Sequence, residues 1–79
     1  MKIPGDVKGD EFVKALKRLG FTVSRQTGSY IRMSVKTNDI DFHITIPNHS
    51  PIKIGTLNTI LNEISTNVNI NKQEIIDLL

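Results

Sequence analysis

The sequence has no cysteine and no tryptophan, and its 79 residues include only three phenylalanines and one tyrosine. Without cysteine, neither disulfide bonds nor thiolate zinc ligands are available to stabilise the fold. The chain has no apolar run long enough to span a membrane, and residues 1–5 lack the apolar segment of a secretory signal peptide. We therefore expect a cytoplasmic protein that folds as one domain, residues 1–79, around one modest core.

The charge and composition are those of an ordinary globular domain. The formal net charge is +2, the sequence pI is about 9.2, and 38% of the residues are hydrophobic. This balance is compatible with nucleic-acid binding but does not by itself predict it. Two histidines without an accompanying cluster of carboxylates do not indicate a metal site, so we expect no metal and no cofactor.

Apolar side chains recur at helical spacing in two segments, about residues 9–19 and about residues 54–65. Gly9 or Asp10 is expected to cap the first helix, and Gly20 is expected to end it in the left-handed conformation. The apolar stripes consist of Phe12, Val13, Leu16 and Leu19 in the first segment and of Leu57, Ile60, Leu61 and Ile64 in the second.

A third, short helix is predicted over about residues 72–79. Asn71 and Glu74 have the spacing of a capping box, and Ile70 and Ile75 have that of the accompanying hydrophobic staple.

Between the first two helices, three short runs alternate apolar and polar residues, which is typical of strands with one buried face. The apolar positions are Phe21 and Val23, then Ile31, Met33 and Val35, then Phe42, Ile44 and Ile46. The predicted order is α-β-β-β-α with a short C-terminal helix. This is an α+β fold in which the helices cover one face of a three-stranded antiparallel sheet.

Alternation also predicts the register of the first hairpin, because a slip of one residue would turn every side chain over. Both inward-facing sets carry odd numbers, so paired positions must sum to an even number. The simplest connection is a three-residue loop over residues 27–29 with Gly28 in the left-handed conformation. The facing pairs would then be Gln26 with Tyr30 and Ser24 with Arg32.

In the second hairpin the inward residues are odd-numbered in the first strand and even-numbered in the second, so paired positions must sum to an odd number. This predicts a four-residue loop over residues 37–40. The resulting register extends to Tyr30 opposite Pro47. The hairpin tip is therefore expected to lie beside the loop over residues 48–53, which contains His49. The expected inward pairs are Val35 with Phe42, Met33 with Ile44 and Ile31 with Ile46.

The most distinctive stretch is Arg25-Gln26-Thr27-Gly28-Ser29-Tyr30-Ile31-Arg32. A hairpin tip flanked by cationic and stacking side chains suggests a surface that meets phosphates and bases. The same cations are also typical of a plain solvated face. Free N–H groups where the second helix begins would favour an anion near Lys53. The residues expected to contact nucleic acid are Arg25, Gln26, Gly28, Ser29, Arg32, Lys36 and Lys53, of which the two at the turn are also expected to shape it.

Four motifs in this order resemble the HicA (YcfA-like) toxin family over roughly residues 6–79. They are Leu19-Gly20-Phe21, Arg25-Gln26-Thr27-Gly28-Ser29, Ile44-Thr45-Ile46-Pro47-Asn48-His49 and Ile54-Gly55-Thr56-Leu57. The resemblance implies a fold like the double-stranded-RNA-binding domain and metal-independent endoribonuclease activity on messenger RNA. It also implies neutralisation by a HicB-like antitoxin, with any homo-oligomer expected only together with that antitoxin.

The family typically carries a catalytic histidine just after the Gly-Ser pair, where this chain has Tyr30 and Ile31. A free tyrosine side chain is almost entirely protonated at neutral pH and a poor base, but it can act as an acid or stack on a base. Tyr30 and His49 are therefore the catalytic candidates, while His43 is interpreted as structural. Two readings stay open beside an active nuclease: a nuclease-inactive module that binds RNA or the antitoxin, and a purely structural interaction domain.

Overall fold

A computed structural model describes residues 3–37, 40–48 and 51–79 of the chain. The order of elements is α-β-β-β-α with a short C-terminal helix, as the sequence predicts. The three strands form an antiparallel sheet in the order β1-β2-β3. The elements are α1 (Gly9–Arg18), β1 (Thr22–Gln26), β2 (Tyr30–Thr37), β3 (Ile40–Pro47), α2 (Ile54–Val68) and α3 (Lys72–Ile76).

The α+β fold like that of the double-stranded-RNA-binding domain is confirmed, with the apolar face of the sheet turned towards the helices. The core contains no buried polar or charged residue among the described part of the chain. Side chains from α1, from the sheet and from α2 meet in the core and are at most 5% exposed. They include Phe12 and Leu16 from α1, Ile31, Met33, Ile44 and Ile46 from the sheet, and Leu57, Leu61 and Ile64 from α2.

The end of α1 is a Schellman motif centred on Gly20. The N–H of Phe21 donates to the carbonyl of Leu16 at 3.1 Å, and the N–H of Gly20 donates to the carbonyl of Lys17 at 3.1 Å. Gly20 has φ +99°, which confirms the predicted left-handed stop. Phe21 and Leu16 are both buried, so the cap also sets the direction in which the chain enters β1.

The other helix ends differ from expectation in detail. The N-cap of α1 is Lys8, without a side-chain hydrogen bond, rather than Gly9 or Asp10. Helix α2 runs three residues past the expected end and stops at Asn69, whose φ of 58° is left-handed. Since Thr66 and Asn67 tolerate helix where nothing forces a stop, the left-handed asparagine ends it instead.

Helix α3 is shorter than predicted and ends at Ile76. Asn71 caps it as expected, although its Oδ1 accepts from the N–H of Gln73 at 2.9 Å rather than from that of Glu74. Ile75 is fully buried and Ile70 packs against the same core. Five helical residues are therefore enough to close one side of the core.

The register between β2 and β3 is confirmed for all three expected inward pairs and for Tyr30 with Pro47. The ladder continues one pair further, to Thr37 with Ile40, so only residues 38–39 connect the strands rather than four residues. Those two residues lie outside the described part of the chain.

The register between β1 and β2 is confirmed only up to Val23, which pairs with Met33. A bulge then shifts the pairing by one residue. Arg25, not Ser24, pairs with Arg32, and Gln26 pairs with Ile31 rather than with Tyr30. The expected parity therefore holds at one end of the hairpin and fails at its tip, because an extra residue in one strand turns the remainder of that strand over.

No helix in the described ranges is long and apolar enough to cross a lipid bilayer.

Candidate nucleic-acid interface

One face of the sheet is left uncovered by the helices and carries polar side chains. On β2 and β3 this open face follows from alternation, since Ile31, Met33 and Ile44 are buried on the other side. The residues that share the open face are Thr22, Arg25, Thr27, Tyr30, Arg32, Ser34, Lys36, Asp41, His43, Thr45 and Pro47. We call this surface the open face below.

The bulge in β1 brings two arginines together on the open face. Arg25 and Arg32 are direct partners in a hydrogen-bonded pair of the antiparallel ladder, in which the Cα atoms are typically about 5.5 Å apart. Both are exposed. Among the described residues, neither guanidinium group takes part in a side-chain hydrogen bond. Their donors are therefore available to an anion from solution.

Ser24 occupies the bulge and fastens it. Its Oγ donates to the carbonyl oxygen of Arg32 at 3.2 Å. The hydroxyl thus takes up a backbone acceptor next to the position where the ladder is interrupted, which gives the shifted register a stabilising contact of its own.

Thr27 holds the hairpin tip, a role that the sequence reasoning missed. Its Oγ1 accepts from the N–H groups of Ser29 and Tyr30, each at 3.2 Å, and its own N–H donates to the carbonyl of Tyr30 at 2.9 Å. This is the threonine counterpart of an Asx-turn, for which a threonine followed by Gly-Ser is a readable signal. With the amides satisfied in this way, Gly28 does not take a left-handed φ, and that expectation is wrong.

Tyr30 is the first residue of β2 and is half-buried on the open face. It lies two residues before Arg32 on the same face of β2, a separation of about 7 Å along the strand, and Arg32 in turn faces Arg25. Its backbone N–H donates to the Oγ1 of Thr27, which ties the start of β2 to the turn.

The loop that follows β3 begins beside the tip. Pro47 pairs with Tyr30, and the N–H of Asn48 donates to the carbonyl of Ser29 at 3.0 Å. The expected proximity of the tip and this loop is therefore confirmed as far as Asn48. His49, the second catalytic candidate, lies outside the described residues.

The remaining candidates fall in different places. Lys36 is opposite Asp41, at the end of the open face far from the hairpin tip. Lys53 is the exposed N-cap of α2, in the layer of helices rather than on the open face. Gln26 pairs with Ile31 and therefore lies on the face of the sheet that the helices cover, although its side chain is exposed at the end of the strand. Gly28 and Ser29 are exposed at the tip.

His43 is opposite Ser34, four residues along β2 from Tyr30, which corresponds to about 13 Å. At that separation His43 and Tyr30 do not form one acid–base pair. Within the described ranges, no three of the metal-binding residue types cluster in a way that would hold a metal ion.

The electrostatics of the open face favour an anion near the tip. Two unpaired arginines, a tyrosine and the hydroxyl-bearing turn lie at one end of the face, while its described carboxylate, Asp41, lies at the other. Neither a curated protein nor a solved structure matches the chain, but residues 9–65 match the family model of the HicA toxin of bacterial toxin–antitoxin systems. Since that match covers more than half of the 79 residues, the chain belongs to the HicA toxin family, whose members pair with an antitoxin.

Proposed function

We propose that the chain binds messenger RNA across the open face and cleaves it without a metal ion, and that a HicB-like antitoxin neutralises it. The observation that supports the proposal best is the facing pair Arg25 and Arg32, two residues along β2 from Tyr30, on a sheet face that the helices of the described residues leave uncovered. Family membership supplies the setting of a toxin.

The two arginines suit the phosphate backbone of RNA. Guanidinium groups bind phosphate oxygens through two parallel hydrogen bonds, and both groups have their donors available. Tyr30 next to them can stack on a base, which typically contributes about 1–3 kcal/mol and is tolerant of sequence. The arrangement therefore favours RNA with an accessible base at the contact over a perfectly paired duplex.

Cleavage without a metal requires a proton to be removed and a proton to be supplied. The 2′-hydroxyl oxygen attacks the adjacent phosphorus as its proton is taken by a base, and the bond from phosphorus to the 5′-oxygen breaks as that oxygen receives a proton. The products are a 2′,3′-cyclic phosphate and a free 5′-hydroxyl. We assign the base to His49 and the proton donor to Tyr30, while Arg25 and Arg32 stabilise the negative charge that grows on the phosphoryl oxygens.

A second candidate function is a nuclease-inactive module that binds RNA. It is favoured by the surroundings of Tyr30, because the part of the chain that the structure describes places no imidazole or carboxylate beside it and His43 is about 13 Å away. The two candidates share the same RNA-binding surface and differ only in the proton transfer.

Binding and cleavage are best measured separately. Binding of the purified chain to a fluorescent single-stranded RNA should weaken as salt rises, because phosphate contacts release counterions. Affinity that does not depend on salt would exclude the phosphate-binding surface and with it both candidate functions.

Cleavage should be followed on end-labelled RNA in excess EDTA, with the parent beside His49→Gln, Tyr30→Phe and Tyr30→His. Loss of one acid–base group typically costs about 10²–10⁴ in rate, so His49→Gln should reduce cleavage by that factor. Tyr30→Phe should reduce it as well, and Tyr30→His should increase it. Salt-dependent binding without cleavage by either the parent or Tyr30→His would select the inactive module.

A further inference from the structure

The two edges of the sheet are built differently. β1 is five residues long, carries the bulge at Ser24 and has a cation at Arg25, all of which protect an edge from pairing with another chain. β3 is eight residues long, pairs with β2 without a break and contains neither lysine nor arginine. Natural proteins seldom leave such an edge free.

The hydrogen bond from Asn48 to Ser29 identifies which groups of β3 are free. Since pairs in an antiparallel ladder alternate, the even-numbered residues of β3 bond to β2 and the odd-numbered ones point away from it. Asp41, His43 and Thr45 therefore present their backbone N–H and carbonyl groups at the edge. No further strand pairs with β3 in the described ranges.

The start of this edge is also apolar. Ile40 is 55% exposed, one of two large hydrophobic side chains that the described residues leave this open. Phe42, two residues along on the same side of the strand, is half-buried. The edge thus offers backbone hydrogen bonds and an uncovered apolar strip together.

We propose that β3 is a self-association surface, on which β3 of a second copy pairs antiparallel so that Asp41 of each copy lies opposite His43 of the other. Two copies of β3 can pair with apolar residues against apolar ones, and free backbone groups against free ones, only when the two paired residue numbers add up to an even number. Among these, the proposed register brings Phe42 onto Phe42 of the second copy and covers Ile40 with Ile44 of the second copy.

We choose a second copy as the occupant because residues 40–44 of β3 are complementary to themselves when the strand is turned round: Asp41 then meets His43, and apolar residues meet apolar ones. The carboxylate and the imidazole are two residues apart on the same face, so a two-fold axis between the chains matches them twice. The result is a continuous six-stranded sheet with both open faces on the same side. This departs from the expectation that copies associate only together with the antitoxin, and it is independent of RNA cleavage.

The oligomeric state of the purified chain tests the proposal. The contact is small, so sedimentation analysis should extend to high protein concentration, where the mass should approach twice the monomer mass of 8.9 kDa. His43→Asp places carboxylates opposite one another and should weaken the dimer about tenfold or more. The double variant Asp41→His with His43→Asp restores both pairs and should restore the dimer.

Thr22→Asp is the matched control, because it adds the same charge to an exposed position on the β1 edge. It should leave the dimer unchanged. A chain that remains monomeric at millimolar concentration would overturn the proposal. So would equal weakening by Thr22→Asp, or a double variant no better than His43→Asp.

The absence of native cysteine allows the register to be tested directly. In the proposed register Asp41 and His43 of the second copy form a hydrogen-bonded pair. The Cα atoms of such a pair are about 5.5 Å apart, a distance that a disulfide can bridge. A mixture of Asp41→Cys and His43→Cys chains should form the mixed disulfide under mild oxidation faster than either variant forms its own. Faster self-coupling of His43→Cys would reject this register.

Discussion

Arg25 and Arg32 lie directly opposite each other on β1 and β2, with both side chains on the open face. Like charges in facing positions destabilise a sheet, and here neither guanidinium group has a hydrogen-bonding partner among the described side chains. The bulge at Ser24 creates the pair, since without it Arg25 would face the helices. An arrangement that is unfavourable in the free protein and favourable beside a phosphate is expected where a protein binds an anion.

Removing one of the two charges should therefore affect stability and binding in opposite directions. We expect Arg25→Gln to raise the free energy of unfolding by a few tenths of a kcal/mol, because it relieves the repulsion from Arg32. The same variant should weaken RNA binding and lower the slope of log affinity against log salt by about one. Urea denaturation and binding titrations at several salt concentrations measure the two effects.

Lys14→Gln provides the control for charge alone, since Lys14 is exposed on α1, away from the open face. It should change neither the stability nor the salt slope by a comparable amount. If Arg25→Gln destabilised the protein and left binding intact, the pair would be serving the fold rather than a ligand.

The hydroxyl of Thr27 should be worth more than its position in a surface turn indicates. Thr27→Val keeps the shape of the side chain but leaves the N–H groups of Ser29 and Tyr30 without their acceptor. We expect a loss of about 1 kcal/mol in the free energy of unfolding, measured by urea denaturation. Thr27→Ser keeps the hydroxyl and should retain most of the stability; equal losses in both variants would mean that the methyl group, not the hydroxyl, matters.

Alternation predicted the pairing of β2 with β3 because both strands are regular and each has three or more apolar residues in succession on one side. The inward residues Ile31, Met33 and Ile44 leave one register that buries them all. The pairing of Tyr30 with Pro47 then follows by extension. Where a strand obeys one period throughout, the sequence is sufficient to place a site residue beside its neighbour.

At the first hairpin the predicted register is wrong beyond Val23 because β1 does not keep one period. Phe21 and Val23 face the core, and continued alternation would have turned Arg25 towards it as well. A charged residue at a position that alternation assigns to the core is a signal for a bulge. The bulge matters for the site, because it exchanges Gln26 for Arg25 on the open face.

The two glycines near this hairpin should respond in opposite ways to alanine. Gly20 has φ +99°, so Gly20→Ala should cost about 1–2 kcal/mol even though a Cβ atom there would meet nothing within 4 Å. Gly28 has neither a left-handed φ nor a neighbour within 4 Å, so Gly28→Ala should change the free energy of unfolding by less than about 0.5 kcal/mol. Thermal and urea denaturation of the two variants side by side decide the point, and a costly Gly28→Ala would restore the conformation first expected from the sequence.

Asn71 should contribute to global stability although it caps a helix of only five residues. Its Oδ1 accepts from the N–H of Gln73, and the helix that it starts carries Ile75, which is fully buried in the core. Asn71→Ala should therefore lower the free energy of unfolding by about 1 kcal/mol, whereas Asn71→Asp keeps an acceptor and should lose little. Asn62→Ala, at an exposed position on α2, controls for the loss of an amide. If Asn71→Ala cost no more than Asn62→Ala, α3 would be held by the burial of Ile75 alone.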